Sequence, residues 1–293
     1  MAINQARLVK PAKKLRKLLN KLDGDPAPEQ VHDLRTSARR FEAAFTALAL
    51  CDAGIPKSVL KELGRLRKRA GKVRDMDVLT EFAAAVHPKR EDECHVRLLE
   101  HLGAQRQKQA GKLHAELKRL RTEVRKGLNR ASSRMARLVR RNGAGPLDSA
   151  VANAAATAIR LSAQLAAPPR LNKTNLHPYR LKVKELRNIL LMADSPSRPR
   201  FVEDLGVVKD AIGEWHDWEE LVRIASKLPD HDGSCALLAE LKRIAKSKYD
   251  HALSLALKLR KTYLQGPDAK RKDAASSGVP RAPVWDAMAR LAA

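Results

Sequence analysis

Aromatic side chains are scarce in this chain: three Trp, three Tyr and four Phe make up 3% of its 293 residues. A surface that holds nucleic acid by stacking bases needs aromatic platforms, so this supply counts against one. Cysteine is equally sparse. Cys51, Cys94 and Cys235 are an odd number without C-x-x-C spacing, which argues against a disulfide framework or a zinc finger and fits a reducing compartment. No uncharged apolar run reaches the ~20 residues that a membrane span requires. The opening Met1-Ala2-Ile3-Asn4 turns polar before an apolar signal core can build. A cytoplasmic protein is the expectation. Acidic residues are short as well: 33 Asp and Glu face 58 Lys and Arg, a formal charge of +25. An excess that large points to a polyanionic partner, whether nucleic acid, anionic lipid or polyphosphate.

What is present reads almost entirely as amphipathic helix. Residues 3–22 place Leu8, Leu15 and Leu22 at heptad spacing, with Arg7, Lys10, Lys14, Lys17 and Lys21 on a separate stripe. Asp23-Gly24-Asp25-Pro26-Ala27-Pro28 ends that helix, and Pro28 suits the first turn of the next, where its missing N–H is tolerated. The second helix runs to about Leu50. A third follows Gly54-Ile55-Pro56 and stops at His87-Pro88, with Lys57, Lys61, Arg65, Lys68 and Lys72 along one edge. Residues 89–126 read as one long helix carrying His114, Lys118, Arg121 and Arg125 on an edge, and a shorter helix is expected at about 132–141. Across 101–141, thirteen Lys and Arg face only Glu116 and Glu123. Asn142-Gly143-Ala144-Gly145-Pro146 marks the internal boundary. Helices at 148–167, 177–193, 200–227 and 233–264 follow. Two helical subdomains, 1–145 and 146–265, are therefore expected. The tail, 266–293, combines a linker of disordered composition with a short apolar-edged segment around Trp285, Met288 and Leu291.

Two stretches echo one another. Val31-His32-Asp33-Leu34-Arg35-Thr36-Ser37-Ala38-Arg39-Arg40-Phe41 returns as Leu176-His177-Pro178-Tyr179-Arg180-Leu181-Lys182-Val183-Lys184-Glu185-Leu186. In each, a His is followed by Arg three residues on and a basic residue seven on, which places the three within roughly 60° of arc on a helix. Val31, Leu34, Ala38, Phe41 and Phe45 form a separate apolar stripe, as do Leu176, Tyr179, Val183, Leu186 and Leu190. A second echo matches Leu63-Gly64, Gly71, Asp75 and Leu79 with Leu205-Gly206, Gly213, Asp217 and Leu221. Glycine inside a helix costs up to ~1 kcal/mol relative to Ala. Two of them seven apart are expected to let a neighbouring helix approach closely. Asp75 and Asp217 are expected to pair with Arg or Lys. The repeat suggests an all-α fold of two four-helix-bundle-like subdomains related by a pseudo-twofold axis.

At these residues the chain resembles the CHAD family of helical domains. The likeness rests on His32-x-x-Arg35-x-x-x-Arg39-Arg40 and Leu63-Gly64…Arg74-Asp75-x-Asp77-Val78-Leu79 in the first half. In the second it rests on His177-x-x-Arg180-x-x-x-Lys184 and Leu205-Gly206…His216-Asp217…Leu221. It spans roughly residues 3–264. The resemblance implies two four-helix bundles around a basic central channel that binds inorganic polyphosphate, often on polyphosphate granules. The basic edges then nominate Arg7, Lys10, Lys14, Lys17, Lys21, His32, Arg35, Arg39, Arg40, Lys61, Arg65, Lys68, Lys72, Lys118, Arg121 and Arg125 from the first half. Lys173, His177, Arg180, Lys184 and Arg187 come from the second. Pro178 departs from the pattern and delays the expected start of its helix by a turn. Glu185 stands where the first copy has Arg40, and Arg187 restores a charge on that edge. The alternating Glu residues before a Lys that mark a triphosphate-hydrolysing partner domain are missing.

Binding without catalysis, without cofactor or metal, is the expected activity. Arg forks take two phosphate oxygens at once and Lys supplies point charge. His32 and His177 are expected to gain charge beside phosphate, so that binding strengthens as pH falls; the alternative is that each bonds a carbonyl and orders its bundle. Other polyanions remain rivals, nucleic acid first, although no reading motif is present. A phosphoanhydride hydrolase is the enzymatic rival, with neither a Walker-type loop nor a carboxylate cluster of metal spacing to support it. His95 and His101 near Glu91 and Cys94 fit no metal-site spacing.

Overall fold

The computed structural model describes residues 5–22, 25–47, 57–86, 93–140, 146–191, 199–228 and 235–265. Among them are eight α-helices and no strand, the all-α class that the periodicity predicts. In chain order they are α1 (Gln5–Lys21), α2 (Pro28–Ala47), α3 (Lys57–Ala84), α4 (Glu93–Arg140), α5 (Pro146–Ala166), α6 (Lys173–Leu190), α7 (Pro199–Ala225) and α8 (Ala236–Leu259); α8 ends in a π-helical turn, Arg260–Leu264. The boundary at Asn142–Gly145 and the tail with Trp285 lie outside the described residues.

Helices α1 and α3 each pack on both α2 and α4, so the four close a ring in which α2 and α4 stand on a diagonal. The apolar stripes supply its interior. Leu15, Leu19, Leu34, Phe41, Phe45, Leu63, Leu66, Leu113 and Val124 are all fully buried, each burial worth about 1.5–3 kcal/mol. Arg106 of α4 ties the connections together. Its Nε donates to Asp77 Oδ1 at 2.7 Å, one terminal nitrogen to Asp25 Oδ1 at 2.7 Å and the other to the Pro26 carbonyl at 2.9 Å. Asp77 is buried (4% exposed), so the motif's second carboxylate is a structural partner for α4.

The contacts do not divide the chain into its sequence halves. One compact unit comprises the described parts of 5–143 together with 216–246; the other comprises 146–215 and 247–265. In the first unit, the end of α7 and the start of α8 pack on α3 and α4. Trp218, Leu221, Leu238 and Leu241 meet Leu79, Ala83, Leu98 and Leu102 there, and the Phe82 and Trp218 rings stack at 4.7 Å. In the second unit, α5 packs on α6 and on the π-helical turn. Arg260 of that turn is buried and donates to the Ala166 and Pro168 carbonyls, capping the end of α5.

Three expectations need correction. Residues 93–140 form one helix of 48 residues rather than two. Gly127, which lies in the expected gap, is a packing residue: a Cβ there would press into both methyl groups of Val59. Helix α6 starts at Lys173, a turn before His177, because Asn172 accepts from the Thr174 and Asn175 amides (2.9 and 3.2 Å) while Asn175 Oδ1 accepts from the Asn172 amide at 2.8 Å. This reciprocal cap carries the helix through Pro178, which sits inside it. The α6 stripe ends on Ile189, which is buried, while Leu190 is only half-buried.

Gly127→Ala raises helix propensity yet is expected to lower stability by about 1–3 kcal/mol through overpacking. Val59→Ala should relieve most of that loss, as measured by urea denaturation of the two single variants and the double.

Candidate anion-binding surface

Three consecutive helices of the first unit carry basic edges, and two ion pairs link them in turn. Lys14 of α1 pairs with Asp33 of α2 at 2.7 Å, and Arg35 of α2 reaches α3, with its terminal nitrogen 3.7 Å from Asp75. Around these two contacts, Lys10, Lys17, Lys21, His32, Arg40, Lys61, Arg65, Lys68 and Lys72 are exposed, and Arg35 and Arg39 are half-buried. Helical spacing accounts for the arrangement. The stripes Val31/Leu34/Phe41 and Leu63/Leu66/Val73 take the interior, and the cations lie on the flanks. Arg7 falls on α1, and its side chain lies outside the described residues.

The end of α7 packs on α3 in the same unit. Asp75 and Asp217, equivalent positions in the sequence repeat, are close enough there to interact. Burial raises the Asp75 pKa and the Asp217 charge adds to it, while Arg35, Arg39 and His216 oppose. Asp75 pairs with Arg35 as expected. Asp217 has His216 Nδ1 at 3.5 Å. Glu42 pairs with Arg67 at 2.7 Å, a contact between α2 and α3 that the motif spacing did not suggest.

His32 is exposed on α2, with Nε2 at 3.3 Å from the Thr36 hydroxyl. Its pKa lies below the ordinary value of 6.5. Burial contributes most, followed by the charge of Arg74, with Arg35 and Lys14 acting the same way and Asp33 opposing. Arg74 belongs to the recognised motif, but its role beside the histidine emerges only from the antiparallel register of α2 and α3.

In the second unit, α6 presents Lys173 exposed and His177, Arg180, Lys184 and Arg187 half-buried. The Lys173 ammonium lies over the Tyr249 ring, 5.4 Å from its centroid. Arg180 Nε donates to the Lys209 carbonyl at 3.0 Å, and Arg187 Nε to the Val202 carbonyl at 3.2 Å. Both guanidinium groups therefore lie against α7. The nearest neighbours of Gly206 and Gly213 are these arginines, so what the glycines admit from the neighbouring helix is a side chain.

The nominated residues of α4 have surroundings of their own. Lys118 and Arg125 are exposed on α4, the helix diagonal to α2. Arg121, at nearly the same angle on the wheel, turns inward and donates to the Leu22 carbonyl, capping α1. His95 is likewise committed, with Nε2 at 2.8 Å from the Ala83 carbonyl. Among the described residues, no group of three or more His, Cys, Asp or Glu is placed to hold a metal ion.

The chain is thus an all-helical protein with concentrated cationic edges. No helix among the described residues is long and apolar enough to cross a membrane. The family pattern described as CHAD domain matches residues 11–226, and the chain belongs to that family. Among solved structures it is similar to the crystal structure of the CHAD domain from the plant Ricinus communis, at 17% identity and TM-score 0.58, covering 88% of this chain and 89% of that one. It is also similar to PptA from Streptomyces chartreusis, at 15% identity and TM-score 0.60, covering 89% of this chain and 100% of that one. No curated protein matches by sequence.

An anion bound beside His32 favours the imidazolium, so the pKa is higher in the complex than in the free protein and binding takes up a proton. Affinity then rises as pH falls through the bound-state pKa and levels off below the free-state value, which lies under 6.5. Between pH 7.5 and 5.5, anion affinity is expected to rise about 3–10-fold, as one pKa unit corresponds to tenfold. His32→Gln should flatten the part of that rise that titrates with the imidazole, read by calorimetric titration across the range.

Proposed function

We propose that this protein binds inorganic polyphosphate without chemically altering it, through the basic edges of its helices, and that it associates with polyphosphate granules. The runs of exposed Lys and Arg along α1, α2 and α3 carry the reading. Membership of the CHAD family supports it, since resemblance to that family implies polyphosphate as ligand. Polyphosphate offers closely spaced anionic oxygens and no bases, so recognition needs converging Arg and Lys heads and little else. The exposed Lys61, Arg65, Lys68 and Lys72 repeat along α3 at steps of four, three and four, a linear array that suits a linear polyanion. Arg35 and Arg39 add forked donors at the α2–α3 seam. On α6, Lys173, His177, Arg180, Lys184 and Arg187 supply a second edge.

Nucleic acid is the competing partner, because phosphate contacts alone also bind duplex DNA. The scarcity of aromatics favours polyphosphate. A hydrolase acting on phosphoanhydrides has less support, as the carboxylates beside the basic face are paired: Asp33 with Lys14, Asp75 with Arg35 and Glu42 with Arg67.

The test is competition of labelled long-chain polyphosphate with duplex DNA and RNA at rising salt. Polyphosphate is expected to remain bound after both nucleic acids have dissociated; equal salt sensitivity for all three would reduce the protein to a generic basic one. Arg35→Ala combined with Arg180→Ala should weaken polyphosphate binding by roughly 10²–10⁴-fold, from about 1.5–3 kcal/mol for each of the two charged hydrogen-bonding groups lost, with the helical circular-dichroism signal retained. Released phosphate, followed over hours with divalent cation present, should stay at background.

A further inference from the structure

The two guanidinium contacts on α7 share one design. Arg180 Nε bonds the carbonyl of Lys209, and Arg187 Nε that of Val202. Each acceptor lies four residues before a glycine, Gly213 and Gly206. A Cβ added to Gly213 would stand 2.5 Å from the nearer terminal nitrogen of Arg180 and 3.0 Å from both Cζ and Nε. One added to Gly206 would stand 2.9 Å from Arg187 Nε. Real Cβ atoms do not approach so closely. Each guanidinium therefore occupies the space that a side chain at the glycine would fill, with its Nε fixed to the helix backbone one turn earlier. The arginines are seven apart on α6 and the glycines seven apart on α7, so the same seat occurs twice along an antiparallel pair.

We propose that Gly206 and Gly213 are positioning residues for anion binding, each seating an arginine of α6 so that its outer edge is presented in a fixed orientation. The inference rests on the reading that Arg180 and Arg187 contribute to polyphosphate binding. Held side chains lose less rotamer freedom when phosphate arrives, which is the general benefit of preorganisation. The first unit differs. A Cβ on Gly71 would meet Arg35 Nε at 3.7 Å, and one on Gly64 would meet Glu42 Oε1 at 3.6 Å, both ordinary contact distances. Arg35 is oriented by Asp75 instead. Among the described residues, the glycine seat is thus a feature of α7.

The obstructing atoms are the far ends of long side chains, so Gly213→Ala is expected to displace Arg180 rather than the fold. Alanine also favours helix over glycine, so the melting temperature should hold or rise. Long-chain polyphosphate affinity should fall about 3–10-fold, from the ordering cost of one long side chain. Gly213→Ala should add nothing in an Arg180→Ala background. Gly71→Ala should leave affinity unchanged. A readout independent of binding is the arginine Nε–H resonance of Arg180, expected to be protected from exchange in the wild type and lost as a protected signal in Gly213→Ala. If Arg180→Ala weakens binding but Gly213→Ala does not, or if the Arg180 Nε–H exchanges like an exposed arginine, the seat is overturned while the proposed function stands. If wild-type protein fails to bind polyphosphate at all, both fall together. If Gly213→Ala weakens binding equally with and without Arg180, the glycine acts by another route and the inference fails.

Discussion

Mutual repulsion among cations is the constraint on which this structure depends. A formal charge of +25 has to be carried by a folded chain, and like charges ~4 Å apart near a protein surface repel by about 4 kcal/mol before salt screening. The helices meet this constraint by geometry. Successive basic residues at steps of three and four lie along an edge rather than in a cluster, and ion screening shortens the range of each to about 8–10 Å. The interior carries the opposing stabilisation: the apolar stripes of α1–α4 are fully buried even where their flanks are densely cationic. Surface charge and folding therefore draw on different faces of the same helices. The repulsion that the core withstands is also the potential that attracts a polyanion.

A few carboxylates within the basic face keep it ordered without neutralising it. Asp33 joins α1 to α2, Asp75 and Glu42 join α2 to α3, and Asp77 with Arg106 anchors α3 to α4. These contacts differ in kind. Asp77 is buried, and its charge is matched by a guanidinium with further acceptors in Asp25 and Pro26, so it behaves as part of the core. Asp75 is about half exposed (54%) and shares its surroundings with Asp217, which leaves its pairing with Arg35 loose. The Arg35 contact is therefore the more easily exchanged of the two, whereas Arg106 is fully committed. Adjacent acids in one short motif, Asp75 and Asp77, thus have separate roles because they lie on different sides of α3.

Helix identity was legible in the sequence because apolar residues at 3.6-residue spacing have few other ways to be buried. The buried stripe of α2 appears in full from Val31 to Phe45. Contacts that depend on which elements meet were harder to read. Lys118, Arg121 and Arg125 lie within a narrow arc of α4, yet only Arg121 stands level with the end of α1 and can turn inward to its carbonyl. Gly127 reads as a helix interruption until Val59 is found against it. The start of α6 was misplaced because Pro178 is a conspicuous signal and an Asn-x-x-Asn cap a quiet one. Residues 216–246 pack with α3 and α4 because Trp218 and Leu221 complete a core whose other wall is more than a hundred residues upstream. No local pattern encodes that pairing.

The repeat itself is preserved in sequence more evenly than in mechanism. His32 and His177, Arg35 and Arg180, Gly71 and Gly213 occupy matching positions, but the two arginines are held by different means. Arg35 leans towards a carboxylate at 3.7 Å, while Arg180 is bonded to a helix carbonyl at 3.0 Å. A carboxylate partner lowers the local positive potential and has to be displaced before the guanidinium gives its full charge to phosphate. A backbone carbonyl is neutral and can keep its bond while the rest of the fork engages an anion. The α6–α7 arrangement therefore fixes its guanidinium through a backbone bond, and the α2–α3 seam places its own beside a carboxylate. Two matching sequence stretches thus hold an arginine still in two different ways.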